Sequence, residues 1–252
     1  MMMMMTVNLK LNYWPVNATA QTGASAADGM FASTRSMAGN MRAMEIHSQN
    51  IANAGIPGYQ AKEALRRKFV EHLGVQSIDE FTNTEVGRVR QTGIHTDMAL
   101  TEAGYFQIQD AKTGAISLTR DGRTLVNKEG YLTLGTTGAY FLDSNGSKIK
   151  FESVPTNFEK QVKIDTDGSI SYINQPAGQA KAIAKLSVVQ LDGSKLEKPK
   201  VAQGYLEDSN VMLAKEFTSL VPIRREFEAN RQFFLIQSDS LSRMIQELGK
   251  AQ

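Results

Sequence analysis

Apolar side chains recur along two stretches of this chain at the spacing of a helix face. The first stripe is Met30, Met37, Met41, Met44 and Ile51, in steps of seven, four, three and seven. It predicts a helix from about Met30 to Asn53, capped by Asp28 and ended by Gly55, Pro57 and Gly58. Proline denies the helical ladder a donor, and glycine takes left-handed angles freely. The second stretch runs from about Val211 to Leu248. Leu213, Phe217, Leu220, Arg224, Phe227, Arg231, Phe234, Ser238, Leu241, Ile245 and Leu248 alternate steps of four and three throughout. That alternation is the heptad seam along which helices supercoil, interrupted here by Arg224, Arg231 and Ser238. At 1.5 Å per residue the stretch would span about 57 Å, against ~30 Å for a small domain, so much of it needs partners outside its own β core. Pro222 falls inside this pattern. A kink is expected, since the seam keeps its phase across the proline; the alternative is a short turn at 211–219 followed by a helix starting near Pro222.

Between the helices the period changes. Tyr105–Gln109, Ile116–Thr119, Tyr131–Leu134, Val162–Ile164, Ser169–Ile173 and Lys185–Val189 read as short strands. Asp121-Gly122, Asn145-Gly146, Asp167-Gly168 and Asp192-Gly193 punctuate them as tight-turn dipeptides. Short strands with such turns predict an antiparallel β domain. The expected organisation is an extended leader over 1–27, a helix and turn over 28–60, a linker over 61–90, a β domain over 91–203 and a C-terminal helix over 204–252. Residues 60–90 open with Lys62, Arg66, Arg67 and Lys68. They read as a short helix passing into the linker, with the cations on a solvated or interface face.

Composition narrows the function classes. The chain has 252 residues, 41% of them apolar, which is enough for a core. Twenty-eight basic against 26 acidic residues leave a net charge of +2, not the concentrated basic patch of a nucleic-acid binder. Zero cysteines exclude a disulfide framework, a thiolate metal site and a cysteine nucleophile. No segment reads as a membrane span or as a secretory signal, so the plain reading is cytoplasmic unless another export route operates.

Candidate chemistry is sparse. His47, His72 and His95 sit apart, none beside a conspicuous acid, and read as solvated surface residues. Asp165-Thr166-Asp167-Gly168 holds the first two ligands of a calcium loop but lacks the closing glutamate, so a hairpin turn is expected. No phosphate loop, dinucleotide fingerprint or nucleophile elbow occurs. Met1 to Met5 read either as a soft membrane- or copper-binding patch or as a misplaced translation start. No cofactor and no metal site are expected.

Longer words carry more. Ser48-Gln49-Asn50-Ile51-Ala52-Asn53-Ala54-Gly55-Ile56-Pro57-Gly58-Tyr59 resembles the N-terminal signature of bacterial flagellar rod and hook proteins. Gln49 replaces the usual first asparagine and Ile56 the usual threonine. Thr92-Gly93, Thr96-Asp97-Met98-Ala99-Leu100 and Gly104-Tyr105-Phe106-Gln107-Ile108 are similar to the next block of that family. Leu118-Thr119-Arg120-Asp121-Gly122 resembles its Tyr-Thr-Arg-Asp-Gly turn. Gln203-Gly204-Tyr205-Leu206-Glu207-Asp208-Ser209-Asn210-Val211, then Glu216, Arg225 and Asn230, resemble its entry to the C-terminal helix. The resemblance covers about residues 29–248; the leader before it and Pro222 depart from the family pattern.

The resemblance implies an α+β subunit. Long terminal helices would pack as a coiled-coil-like inner domain, with a central antiparallel β domain outside. It implies a non-enzymatic structural protein that polymerises helically into the flagellar shaft. Its partners would be copies of itself and other rod or hook subunits. Export would run through the flagellar export apparatus, without a cleaved signal, into the periplasmic part of the basal body. The chain is short for a hook subunit, so a rod subunit is expected, proximal or distal; the alternatives are a short hook-type subunit or a secreted monomeric enzyme or glycan-binding β domain with helical arms. The expected assembly residues are Met37, Met41, Met44, Asn50, Ile51 and Asn53 in the first helix. In the second they are Phe217, Leu220, Phe227, Phe234, Leu241 and Leu248.

Overall fold

The computed structural model describes residues 26–69, 75–151, 162–173 and 182–250, so the expected leader, Met1 to Met5 and His72 lie outside the described residues. The architecture is α+β: an N-terminal helix, a central antiparallel sheet region and a C-terminal helix. Helix α1 spans Ala26–Asn53 and helix α2 spans Leu213–Lys250. They lie antiparallel, since His47 near the end of α1 meets Glu216 at the start of α2, while Ser36 meets Asn230. Helix α2 runs through Pro222 as a single element of 38 residues, not as a turn and a new helix. Pro222 and Thr218, whose carbonyl the proline leaves without its ladder donor, are both exposed, so water can take the freed bond.

The expected linker is a β-hairpin. Strand β1, Lys62–Phe69, pairs antiparallel with β2, Val75–Thr82, from Lys62↔Thr82 to Phe69↔Val75, and both pack on α1. Glu80 anchors the pair, 2.7 Å from both Lys62 Nζ and Arg42 of α1. Its carboxyl is held below the ordinary range, first by the hydrogen bond from Lys62. A strand with one face on a helix and the other in water, carrying charges on both faces, offers little apolar alternation to read.

The β domain closes by pairing its two ends. Strand β3, Val89–Gln91, pairs with β15, Tyr205–Glu207, and β4, Met98–Leu100, pairs with β14, Val201–Gln203. This pairing reaches from Val89 to Glu207, a little beyond the expected 91–203. The largest sheet has the order β13-β5-β9-β8-β7, with β6 added on the free side of β5. These strands are β5 Tyr105–Gln109, β6 Ile116–Thr119, β7 Thr124–Val126, β8 Leu132–Leu134, β9 Tyr140–Phe141 and β13 Val188–Val189. A smaller sheet joins β10 Val162–Ile164, β11 Ser169–Tyr172 and β12 Ala184–Lys185. Between them lies one apolar core containing Met98, Leu100, Phe106, Phe141, Phe151 and Ile170. Phe106 and Phe141 meet edge to face at 5.9 Å.

Asn145-Gly146, Asp167-Gly168 and Asp192-Gly193 form tight turns, and Asp165–Ser169 is the hairpin turn joining β10 to β11. Asp121-Gly122 is not a hairpin turn: it carries the chain from β6, paired with β5, across to β7, paired with β8. Gly122 is there for close approach. A Cβ at this position would lie 1.6 Å from the Met98 carbonyl oxygen.

Candidate assembly interface

Helix α2 packs on α1, and Glu216, Leu220, Ile223, Phe227, Asn230, Phe234, Gln237 and Leu241 along it are buried or partly buried. These positions keep the four–three alternation, but every second one is a residue earlier than expected. Leu220, Phe227, Phe234 and Leu241, expected to pack on neighbouring subunits, are already partly buried within the single chain. Phe217, Arg224 and Arg231 are exposed, and Phe217 keeps 55% of its surface. In the same turns Glu216, Ile223 and Asn230 are buried or partly buried instead.

The reason lies on α1. Its buried and partly buried positions include Ser33, Ser36, Asn40, Ala43, His47 and Asn50, mostly polar or small, together with the fully buried Ile46. Small side chains let the phenylalanines of α2 approach, and the polar ones supply partners for Glu216 and Asn230. His47 Nδ1 lies 2.6 Å from Glu216 Oε2, and Asn230 Nδ2 donates to Ser36 Oγ at 2.8 Å. His47 is thus a partly buried cross-helix partner rather than a solvated surface residue. The methionine stripe flanks this contact. Met37 and Met44 are partly buried, and Met41 is 59% exposed.

Asn50, fully buried, ties the helices to the segment after the turn. Its Nδ2 donates to the Lys62 carbonyl at 2.7 Å and to Glu216 Oε2 at 3.2 Å. Its Oδ1 accepts from the Lys62 N–H at 2.9 Å and from the Tyr59 hydroxyl at 3.3 Å. Asn53 and Ile51 are partly buried; among the described residues Asn53 Nδ2 donates to the Gln49 carbonyl of its own helix. Asn210 repeats the Asn50 device at the entry to α2. It accepts from the Ala61 N–H at 2.6 Å and donates to the carbonyls of Asn83 and Glu85.

The turn itself docks on the β domain. Gly58, at φ 70°, donates its N–H to the Glu207 carbonyl, and a Cβ there would lie 2.4 Å from the Arg120 carbonyl carbon. Arg120 and Glu207 form a buried ion pair, 1% and 2% exposed, with Nη2 and Oε2 2.6 Å apart. The guanidinium also donates to the carbonyls of Leu100, Glu102 and Gly104, and Gly87 N–H donates to Glu207 Oε1. Sequence reasoning left Arg120, Glu207, Asn210 and Glu216 without roles, although each stood in a family-like word.

Asp97, 4% exposed, is the strained carboxyl of the β domain. Its Oδ2 finds no hydrogen-bond partner, and burial pushes its pKa above the ordinary range, opposed by Thr92, Arg123 and Arg90. The native state then holds this proton to higher pH than the unfolded chain does. The site favours folding below the unfolded pKa and loses that contribution as pH rises through the native one. Asp97→Asn should therefore raise the melting temperature near neutral pH and change it little below about pH 4. A variant that melts lower across the whole range would show that the charge is wanted.

Helix α2 outruns the described part of α1. Leu241 is partly buried, but Met244, Ile245 and Leu248 are 53%, 62% and 67% exposed. Met244 and Leu248 continue the four–three positions that are buried or partly buried lower down, and Ile245 lies beside them. Among the described residues no helix is long and apolar enough to cross a membrane.

Residues 202–247 match the family of flagellar basal body rod FlgEFG protein C-terminal segments. The chain is 27% identical over 239 residues to the flagellar basal-body rod protein FlgF of Caulobacter vibrioides, covering 83% of this chain and 93% of that protein. Against FlgF of Rhizobium meliloti it is 27% identical over 251 residues, covering 88% and 98%. Against the rod protein FlgG of Bacillus subtilis it is 26% identical over 232 residues, covering 82% and 83%.

Proposed function

We infer that this chain, a flagellar basal-body rod protein, is a structural subunit that polymerises through its terminal helices into the axial shaft. The observation that carries the polymerisation is the uncovered apolar stripe of α2. An apolar helix face stabilises a structure only when something covers it, and burying one such side chain contributes about 1.5–3 kcal/mol before ordering costs. In the assembled shaft the helices would form the inner layer, coiled-coil-like, and the β domain would lie outside. The subunit acts by contact, with no catalytic step and no cofactor. It would reach the periplasmic part of the basal body through the flagellar export apparatus, without a cleaved signal. A chain with no cysteine can be threaded unfolded without a disulfide to break.

Met244→Asp combined with Leu248→Asp tests this reading. Both side chains are exposed in the single subunit, so the variant should keep the wild-type melting temperature. In the polymer two buried carboxylates would be unpaired, which costs more than the lost contact. The variant should neither sediment as polymer nor restore swimming to cells lacking the wild-type chain. Full swimming would overturn the role of this stripe. Hydrogen exchange adds a second check: amides up to Leu241 should be protected in the dilute subunit and those from Arg243 onward should exchange fast. Strong protection over 243–250 would mean the stripe is already covered.

A further inference from the structure

The groove beside the helix pair has a composition that names its occupant. It is an open trough of about 610 Å³, lined by Met44 of α1 and by Val221, Phe227, Arg224, Arg225 and Glu228 of α2. Its apolar part is one methionine, one valine and one phenylalanine, a soft surface that adapts to an incoming apolar side chain. Its charge is positive. Glu228 is paired with Arg231 at 3.2 Å, while Arg224 and Arg225 carry no ion pair among the described residues. A helix with apolar anchors and a flanking carboxylate fits such a trough.

The end of α2 is a helix of that kind. Met244 and Leu248 are exposed anchors one turn apart, Ile245 lies between them, and Glu247 flanks Met244 without an ion pair among the described residues. The nearby Arg243 is neutralised by Asp239 at 2.7 Å, and Lys250 follows one turn after Glu247. We propose that the C-terminal turns of α2 in one copy of this chain dock in the Met44–Val221–Phe227 groove of the next copy, with Glu247 meeting Arg224 and Arg225.

The contact rests on the rod reading above and gives it a geometry. Its two surfaces are different patches of one molecule, so the contact is heterologous and repeats without closing. The groove centres near residue 225 and the docking turns near 245. Successive copies would thus be displaced by about 30 Å along the axis of α2.

The natural chain has no cysteine, so cross-linking reads cleanly. In full-length protein, Val221→Cys and Leu248→Cys are made singly and together, then oxidised at concentrations where the wild type sediments as polymer. A disulfide forms only when the two Cα atoms approach within about 7 Å. The expected result is a heterodimer when the single variants are mixed and a ladder of multimers from the double variant. Adding Arg224→Glu and Arg225→Glu should reduce the ladder at least tenfold, and Glu247→Arg should restore part of it. A wild type that polymerises while the double variant gives no ladder would overturn this contact and leave the rod reading standing. Self-linking by Leu248→Cys alone, without a ladder, would replace it with an end-to-end contact. A double variant that forms only an intrachain link, or a chain that stays monomeric at every concentration, would overturn it as well, and the swimming test then decides the rod reading separately.

Discussion

Arg120→Met is expected to cost about 3–5 kcal/mol, a large share of the roughly 5–15 kcal/mol that holds a domain folded. The substitution keeps the volume but leaves Glu207 charged at 2% exposure, with Gly87 N–H as its remaining donor. It also strips the carbonyls of Leu100, Glu102 and Gly104 of their shared donor. Because the Glu207 carbonyl holds Gly58, the damage should spread from the β domain to the turn that carries α1. Urea unfolding followed by circular dichroism measures it. The double variant Arg120→Met with Glu207→Leu should recover much of the loss, since removing both charges is far cheaper than stranding one. An Arg120→Met variant within about 1 kcal/mol of wild type would show that water reaches Glu207 and that the pair is not a buried joint.

That joint was visible in the sequence only as a word, Thr119-Arg120-Asp121-Gly122, with no physics attached. Apolar periodicity found both helices and about half of the strands, because Leu220, Phe227, Phe234 and Leu241, or Phe106 and Ile108, bury apolar area that recurs at the period of the element. It misplaced the other half of the α2 seam because it ranks Phe217 above Glu216 as a core residue. A buried glutamate is favourable only if its partners are known, and His47 and Asn50 lie on the other helix, 169 and 166 residues away along the chain. The same limit hid the hairpin at 62–82, whose charges on both faces mask its period, and the reach of the β domain to Glu207, which depends on pairing with Val89.

The family-like words therefore record internal joints more than contact surfaces. Asn50, Tyr59, Arg120, Gln203, Glu207, Asn210, Glu216 and Asn230 each bond to a different element of the same chain. Gln203, for example, donates to the carbonyls of His95 and Val162 and accepts from the Ile164 N–H. Exposed positions such as Phe217, Val221, Ile245 and Leu248 fall outside those words or at their edges.

Asn50 and Asn53, three residues apart, are expected to separate an internal joint from a contact surface. Asn50→Leu should destabilise the subunit by at least about 3 kcal/mol, because several buried groups lose their partner at about 1–3 kcal/mol each. Those groups are the Lys62 N–H, the Lys62 carbonyl and the Tyr59 hydroxyl, while Glu216 Oε2 keeps His47. The strand-like segment 59–62 would come away from α1, and with it the docking of Gly58 against Arg120. Asn53→Leu removes one donor from the Gln49 carbonyl, which is already within the reach of the helical ladder, so folding should change by no more than about 0.5–1 kcal/mol. Asn53 sits partly exposed at the end of α1, and its substitution is expected to lower polymer yield while the subunit melts as wild type does. Urea midpoints and sedimentation on the same two samples check both halves. Normal polymerisation by Asn53→Leu would remove Asn53 from the interface, and a wild-type midpoint for Asn50→Leu would mean that α1 is held to the β domain by contacts other than this amide.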